Sequence, residues 1–196
     1  KKRYAMKRLL FVLLSCIGFS VSAQDVAVKS NLLYDAALNI NGGVEFGVAP
    51  KWTVDVTANY NNWTFSEGKR WKNWFLQPEA RYWFCDRFAG HFLGFHLHGG
   101  KYNMGGIKGG FNLLGSDLSK LEDNRYQGWF AGAGVGYGYS FILGMHWNLE
   151  LEIGIGYAFT KFDRYECIGC GERQETGKTH HYVGPTKAAV NLIYVF

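Results

Sequence analysis

Alternation of apolar and polar residues, renewed in stretches of roughly ten, constrains this chain more than any other feature. From Trp52 the apolar set is Trp52, Val54, Val56, Ala58 and Tyr60, interleaved with Thr53, Asp55, Thr57, Asn59 and Asn61. From Trp147 the apolar set runs Trp147, Leu149, Leu151, Ile153, Ile155, Tyr157 and Phe159, against Asn148, Glu150, Glu152, Gly154, Gly156, Ala158 and Thr160. A period of two is the period of a strand, so each stretch presents one apolar face and one polar or small one. The same reading places strands at 26–37, 40–49, 52–63, 74–84, 88–99, 128–141, 147–161 and 182–196. Connections alternate between tight turns (49–51, 85–87, 142–146) and long polar loops (64–73, 100–127, 162–181), with one short connection near 39–41. Long loops on one rim and short turns on the other describe a bacterial outer-membrane barrel. The expected fold class is all-β: an eight-stranded antiparallel up-and-down transmembrane β-barrel.

The direction of each face follows from its residues. None of the apolar faces carries Asp, Glu, Lys or Arg; one Lys or Arg at a bilayer midplane there would cost about 2–4 kcal/mol. The opposite faces carry charges and small residues, with Gly132, Gly134, Gly136 and Gly138 in alternation. Small residues suit the crowded inside of a narrow barrel. His91, near a tight turn, is the one ambiguous outward group. The tryptophans are expected to form two bands: Trp52, Trp83 and Trp147 beside short turns, and Trp63, Trp71, Trp74 and Trp129 beside long loops. Pro78 and Pro185 fall inside proposed strands, where each removes a donor, so a bulge or strand end is expected at each.

Both ends carry signals of their own. Lys1, Lys2, Arg3, Lys7 and Arg8 precede an apolar stretch from Leu9 to Phe19, and Val21-Ser22-Ala23 supplies small residues for cleavage before Gln24. That is the pattern of a secretory signal peptide over residues 1–23, with Met6 a candidate start and residues 24–196 as the barrel domain. A lipobox ending at Cys16 is the rival reading. The whole chain has a formal charge of +5, but loss of the five basic residues leaves 16 basic and 16 acidic ones. The neutral balance removes the argument for a nucleic-acid partner. At the other end Val190, Leu192, Tyr194 and Phe196 alternate and finish on an aromatic, which resembles the terminal-strand signal read by the barrel-assembly machinery.

Several short motifs recur together: Lys29-Ser-Asn-Leu-Leu-Tyr-Asp35, Val44-Glu-Phe-Gly47, Asn62-Trp-Thr-Phe65, Gln77-Pro-Glu79 with Arg81-Tyr-Trp83, Gly90-His-Phe92, Tyr126-Gln-Gly-Trp129 and Gly184-Pro-Thr-Lys187. As a set they resemble a domain-of-unknown-function family of small outer-membrane barrels, related in architecture to OmpA-like and OmpX-like barrels. The resemblance covers essentially the whole mature chain. It implies an outer-membrane location and frequent encoding beside fimbrial or surface-adhesin genes, and it carries no catalytic residues with it.

The inward set includes Lys29, Asp35, Glu45, Asp55, Glu79, Arg81, Glu150, Glu152 and Lys187. In a barrel too narrow for a water-filled channel such charges must pair. Arg81 and Lys187 are expected to anchor a structural interior network with Asp55, Glu79, Glu150 and Glu152, with Lys29 a further member and Asp55 roughly opposite Arg81; a proton or ion path is the alternative reading. Cys167-Ile-Gly-Cys170 reads as a local disulfide in an oxidising compartment; half of a zinc site, with His180 and His181 following, and free or intermolecular thiols are the alternatives. Cys85 has no evident partner. His96 and His98 share the inner face, but the sequence His96-Leu97-His98 lacks the Ser of an H-x-S hydrolase arrangement. The Gly171–Thr179 stretch separates its glycines by five residues rather than the four of a phosphate loop, and Gly132–Gly138 is a strand pattern.

The expectation for function is a non-enzymatic outer-membrane anchor displaying loops, in envelope support, surface assembly or adhesion, with no cofactor. Its partners would be outer-membrane lipids, the assembly machinery and fimbrial or other surface proteins. Two alternatives stand beside it: a lipid-A or phospholipid-modifying enzyme on the same scaffold, and a secreted soluble barrel binding a small apolar ligand.

Overall fold

The computed structural model describes residues 25–64, 70–106, 112–113, 116–117, 124–166 and 171–196. The elements in chain order are β1 (Val26–Asn31), α1 (Leu32–Ala36), β2 (Ile40–Ala49), β3 (Trp52–Thr64), β4 (Arg70–Trp83), β5 (Gly90–Gly105), β6 (Asn112–Leu113), β7 (Ser116–Asp117), β8 (Arg125–Ile142), β9 (Trp147–Tyr165) and β10 (Arg173–Val195). β6 and β7 pair only with each other, while the other eight strands form one antiparallel sheet that closes on itself as β1-β10-β9-β8-β5-β4-β3-β2.

The closure is staggered. Followed once round the ring from Ala27, the ladder passes through Glu45, Asp55, Glu79, His96, Gly134 and Gly156 to Gly184, whereas Ala27 itself pairs with Val195. Setting aside the bulge residue in β10, the offset is about ten residues, which tilts eight strands by roughly 40° from the ring axis. Every residue on that circuit points inward.

The ladders run further than the hydrophobic alternation. β3 and β4 pair up to Thr64 with Arg70, and β9 and β10 pair out to Tyr165 with Arg173. Backbone pairing continues after one face ceases to be apolar, so alternation marks only the middle of each strand. The first strand is a correction in the other direction. It ends at Asn31, not near residue 37, because the Asn31 side chain accepts from Leu33 N at 3.1 Å and caps α1. Asn41 then stands in for the missing strand: its Oδ1 accepts from Asn31 N at 2.7 Å, and its Nδ2 donates to Asn31 O and to Asp35 Oδ1.

Pro185 sits at a register shift between β10 and β9, as a bulge. Pro78 does not. Its missing donor falls on the β5 side, where the ladder resumes from Leu76–Gly99 to Glu79–His96 in unchanged register.

The inside is layered. At the end with the tight turns, Trp83, Phe92, Ile193, Ala27 and Phe88 form an apolar cluster; the Trp83 and Phe92 ring centroids are 4.7 Å apart. Phe88 enters it from the β4–β5 turn with φ of 62°, a strained setting for a bulky residue. Above lie the charges, then His96 and His98, then Tyr34, Phe75, Phe130 and Tyr102 in edge and tilted ring contacts. The outside is the reverse. Ile153 is 72% exposed, Ile155 64% and Leu97 60%. Between Trp52 and Tyr60 on β3, and between Trp147 and Phe159 on β9, the outward residues are apolar. Among the described residues no Asp, Glu, Lys or Arg stands on the strands' outer face in that band.

Candidate functional site

The charged layer is built by six strands, each contributing from its inward parity. Arg81 on β4 is its centre and is 0% exposed. Its Nη1 donates to Glu45 Oε2 at 2.8 Å and to Glu150 Oε2 at 2.9 Å; its Nη2 donates to Glu152 Oε2 at 2.8 Å and to Glu79 Oε2 at 3.4 Å. Asp55 Oδ2 lies 3.6 Å from the same nitrogen. Lys29 from β1 meets Glu45, stands 3.6 Å from Asp55 Oδ1 and 4.0 Å from Glu150 Oε1. Lys187 from β10 meets Glu79 and stands 2.9 Å from Glu152 Oε2. A planar guanidinium presents several donors in fixed directions, which is why one Arg can serve carboxylates from four strands where a point charge could not.

Neutral donors complete the layer. Thr53 donates to Glu45 and accepts at 2.9 Å from Trp83 Nε1, and Asn191 Nδ2 donates to Glu150 Oε1 at 2.7 Å. Arg81 also stacks over Phe92, 4.6 Å from the ring centroid, which joins the charged layer to the apolar cluster beneath it. Space is made by glycines: a Cβ on Gly94 would overlap the Glu79 carboxylate, and one on Gly138 would overlap the Phe92 ring. The layer holds five carboxylates against three cations, and both Asp55 oxygens lack a hydrogen-bond donor.

His96 lies just above, with Nε2 2.9 Å from Thr186 Oγ1, and its ring is 5.6 Å from that of His98. Both histidines are buried, and the hydroxyl beside His96 belongs to a threonine on another strand. Among the described residues no group of three His, Cys, Asp or Glu side chains is placed to hold a metal ion.

A family described as Protein of unknown function (DUF3575) matches residues 9–196. The chain belongs to that family. Neither the curated proteins nor the solved structures give a match.

In this DUF3575 chain the structure brings together Lys29, Asp55, Glu79, Arg81, Glu150, Glu152 and Lys187, and adds Glu45, which sequence reasoning placed inward but left out of the cluster. The expected facing of Asp55 and Arg81 is corrected by two residues: Arg81 pairs with Thr53, and Asp55 pairs with Glu79. Asp35 is exposed and belongs to the α1 cap, accepting from Ser30 Oγ at 2.8 Å and from Asn41. The tryptophan banding needs correction as well. Trp83 shares the parity of Glu79 and Arg81 and is 0% exposed inside, and Trp63 and Trp71 pair across the inward face near the rim. Four tryptophans remain on the outer face: Trp52 and Trp147 near the tight turns, Trp74 and Trp129 near the other end. Tyr82 and Tyr194 join the first pair, at 5.2 and 5.1 Å between ring centroids, and Phe159 joins Trp129 at 5.6 Å. His91 is outward and exposed, bonded to the Tyr137 hydroxyl. Cys85 is free and exposed. Residues 1–23, read as a signal peptide, and the Cys167–Cys170 pair lie outside the described residues.

Proposed function

We propose that the mature chain is an outer-membrane β-barrel acting as a non-enzymatic anchor, displaying the connections at its wider-looped rim for envelope support, surface assembly or adhesion. One observation carries the reading. The outer wall bears a belt of apolar side chains without charge, bounded at both ends by Trp and Tyr, while the charges are gathered inside. Along β3 the aromatic bands are eight residues apart and along β9 twelve; at roughly 3.3 Å per residue and 40° of tilt this is about 20–30 Å of height, close to the apolar band of outer-membrane barrels. In water such a wall would be an unusually large exposed apolar surface.

In this reading the tight turns face the periplasm and the long connections face outward. Tyr194 and Phe196, on the outer face, offer the terminal strand to the assembly machinery, and fimbrial or other surface proteins are the partners proposed for the loops. The apolar cluster and the paired charges support an anchor over a conduit. The test is cell fractionation followed by gel migration with and without heating. A protein in the outer-membrane fraction whose band shifts on boiling is the expected result. A protein released with the soluble periplasm, with no shift, overturns the reading.

A further inference from the structure

On the outer wall, register places Trp74, Lys101, Trp129 and Lys161 in one row across β4, β5, β8 and β9. Directly paired residues share a face, and Lys101 follows Leu93, Phe95 and Leu97 with outward spacing, so the whole row points away from the lumen. Lys72 lies two residues beyond Trp74 on the same face of β4, diagonal to Lys101. Lys101 and Lys161 are two strands apart, about 10 Å. Register thus sets three lysines beside two tryptophans on one face.

None of the three lysines has an ion-pair partner among the described residues. The cations at the opposite end differ: Arg87 is paired with Asp25, and Lys51 Nζ donates to Phe84 O at 3.0 Å in the turns. Asp163, the acid nearest the row, is engaged by Gly177 N at 2.8 Å and by Arg173 at 3.7 Å. We propose that this outward patch of lysines and tryptophans binds the phosphate-bearing headgroup of an outer-leaflet lipid. The proposal rests on the membrane reading above and extends it to a lipid class. Lysines at an aromatic band can lay their stems along the apolar wall and hold the ammonium at headgroup level, where an anionic lipid supplies the missing counter-charge. Two indoles offer flat apolar surface to the glycerol or sugar and the first methylenes beneath that phosphate.

The test uses the full chain refolded into phosphatidylcholine vesicles containing a minor fraction of phosphatidic acid, then extracted and weighed by native mass spectrometry with its retained lipids. The wild type is expected to retain phosphatidic acid over phosphatidylcholine by at least about tenfold. The triple variant Lys72→Gln/Lys101→Gln/Lys161→Gln is expected to lose that preference while its band still shifts on heating. Lys51→Gln, at the other end, keeps it. Equal retention by the triple variant overturns the proposal, as does displacement of the lipid by millimolar inorganic phosphate, which would make the site one for a free anion. A wild type that never enters the vesicles is a different failure: it removes the membrane reading itself.

Discussion

Arg81 and Lys101 stand on neighbouring strands and carry the same charge, yet their surroundings are opposite. Arg81 points into the ring, is wholly buried and meets carboxylates from β2, β3, β4 and β9. Lys101 points out, is exposed and has indoles beside it, with no carboxylate partner among the described residues. A cation taken out of water needs its partners built into the fold, and removing it leaves several buried acids facing one another. A cation at the rim needs nothing from the fold and is free to meet a ligand. Charge alone therefore does not identify a site; parity along the strand separates the part that holds the ring together from the part left open on the outer face.

That comparison is open to attack by substitution. Arg81→Leu has the largest expected effect, about 3–5 kcal/mol, because it strips the shared counter-ion from Glu45, Glu79, Glu150 and Glu152; urea unfolding in lipid vesicles should find little or no folded band. Arg81→Lys should recover part of the loss, since it restores charge without the fork. Next comes the outer wall. Ile153→Arg, midway between Trp147 and Phe159, should lower stability in a bilayer by about 2–4 kcal/mol, whereas a wall facing water would leave the midpoint almost unmoved. Asp55→Asn should change the midpoint by less than about 1 kcal/mol, because this carboxylate accepts no hydrogen bond and the layer holds more acids than cations. The smallest effect belongs to Lys101→Gln, within about 0.5 kcal/mol. If Lys101→Gln destabilised the protein as much as Arg81→Leu, the distinction between the two cations would fail.

The inner cluster was legible in the sequence because alternation carries parity, and parity alone puts Lys29, Asp55, Glu79, Arg81, Glu150, Glu152 and Lys187 on one face. The pairing within it was not. A shift of two residues preserves every face, so nothing in the pattern distinguishes Asp55 opposite Arg81 from Asp55 opposite Glu79. Trp83 shows the reverse error: position near a turn suggested a band, although its parity with Glu79 and Arg81 already placed it inside. The break after Asn31 was hidden because Leu32, Leu33 and Tyr34 are compatible with a strand. Its cue was local, an Asn able to cap a helix and an Asp35 within reach of Asn41. Strand ends above the aromatic bands escaped for a physical reason: backbone pairing persists where neither face of the hairpin carries an apolar period to betray it.

The most direct test of the account is the position of Ile153 relative to lipid. With a fluorophore on Ile153→Cys, in a chain whose other cysteines are replaced, the refolded protein would be mixed into vesicles carrying nitroxides at mid-acyl depth or a quencher confined to water. Strong quenching by the mid-acyl nitroxide and little by the aqueous quencher is the predicted result. Efficient aqueous quenching with no response to the nitroxide would contradict it.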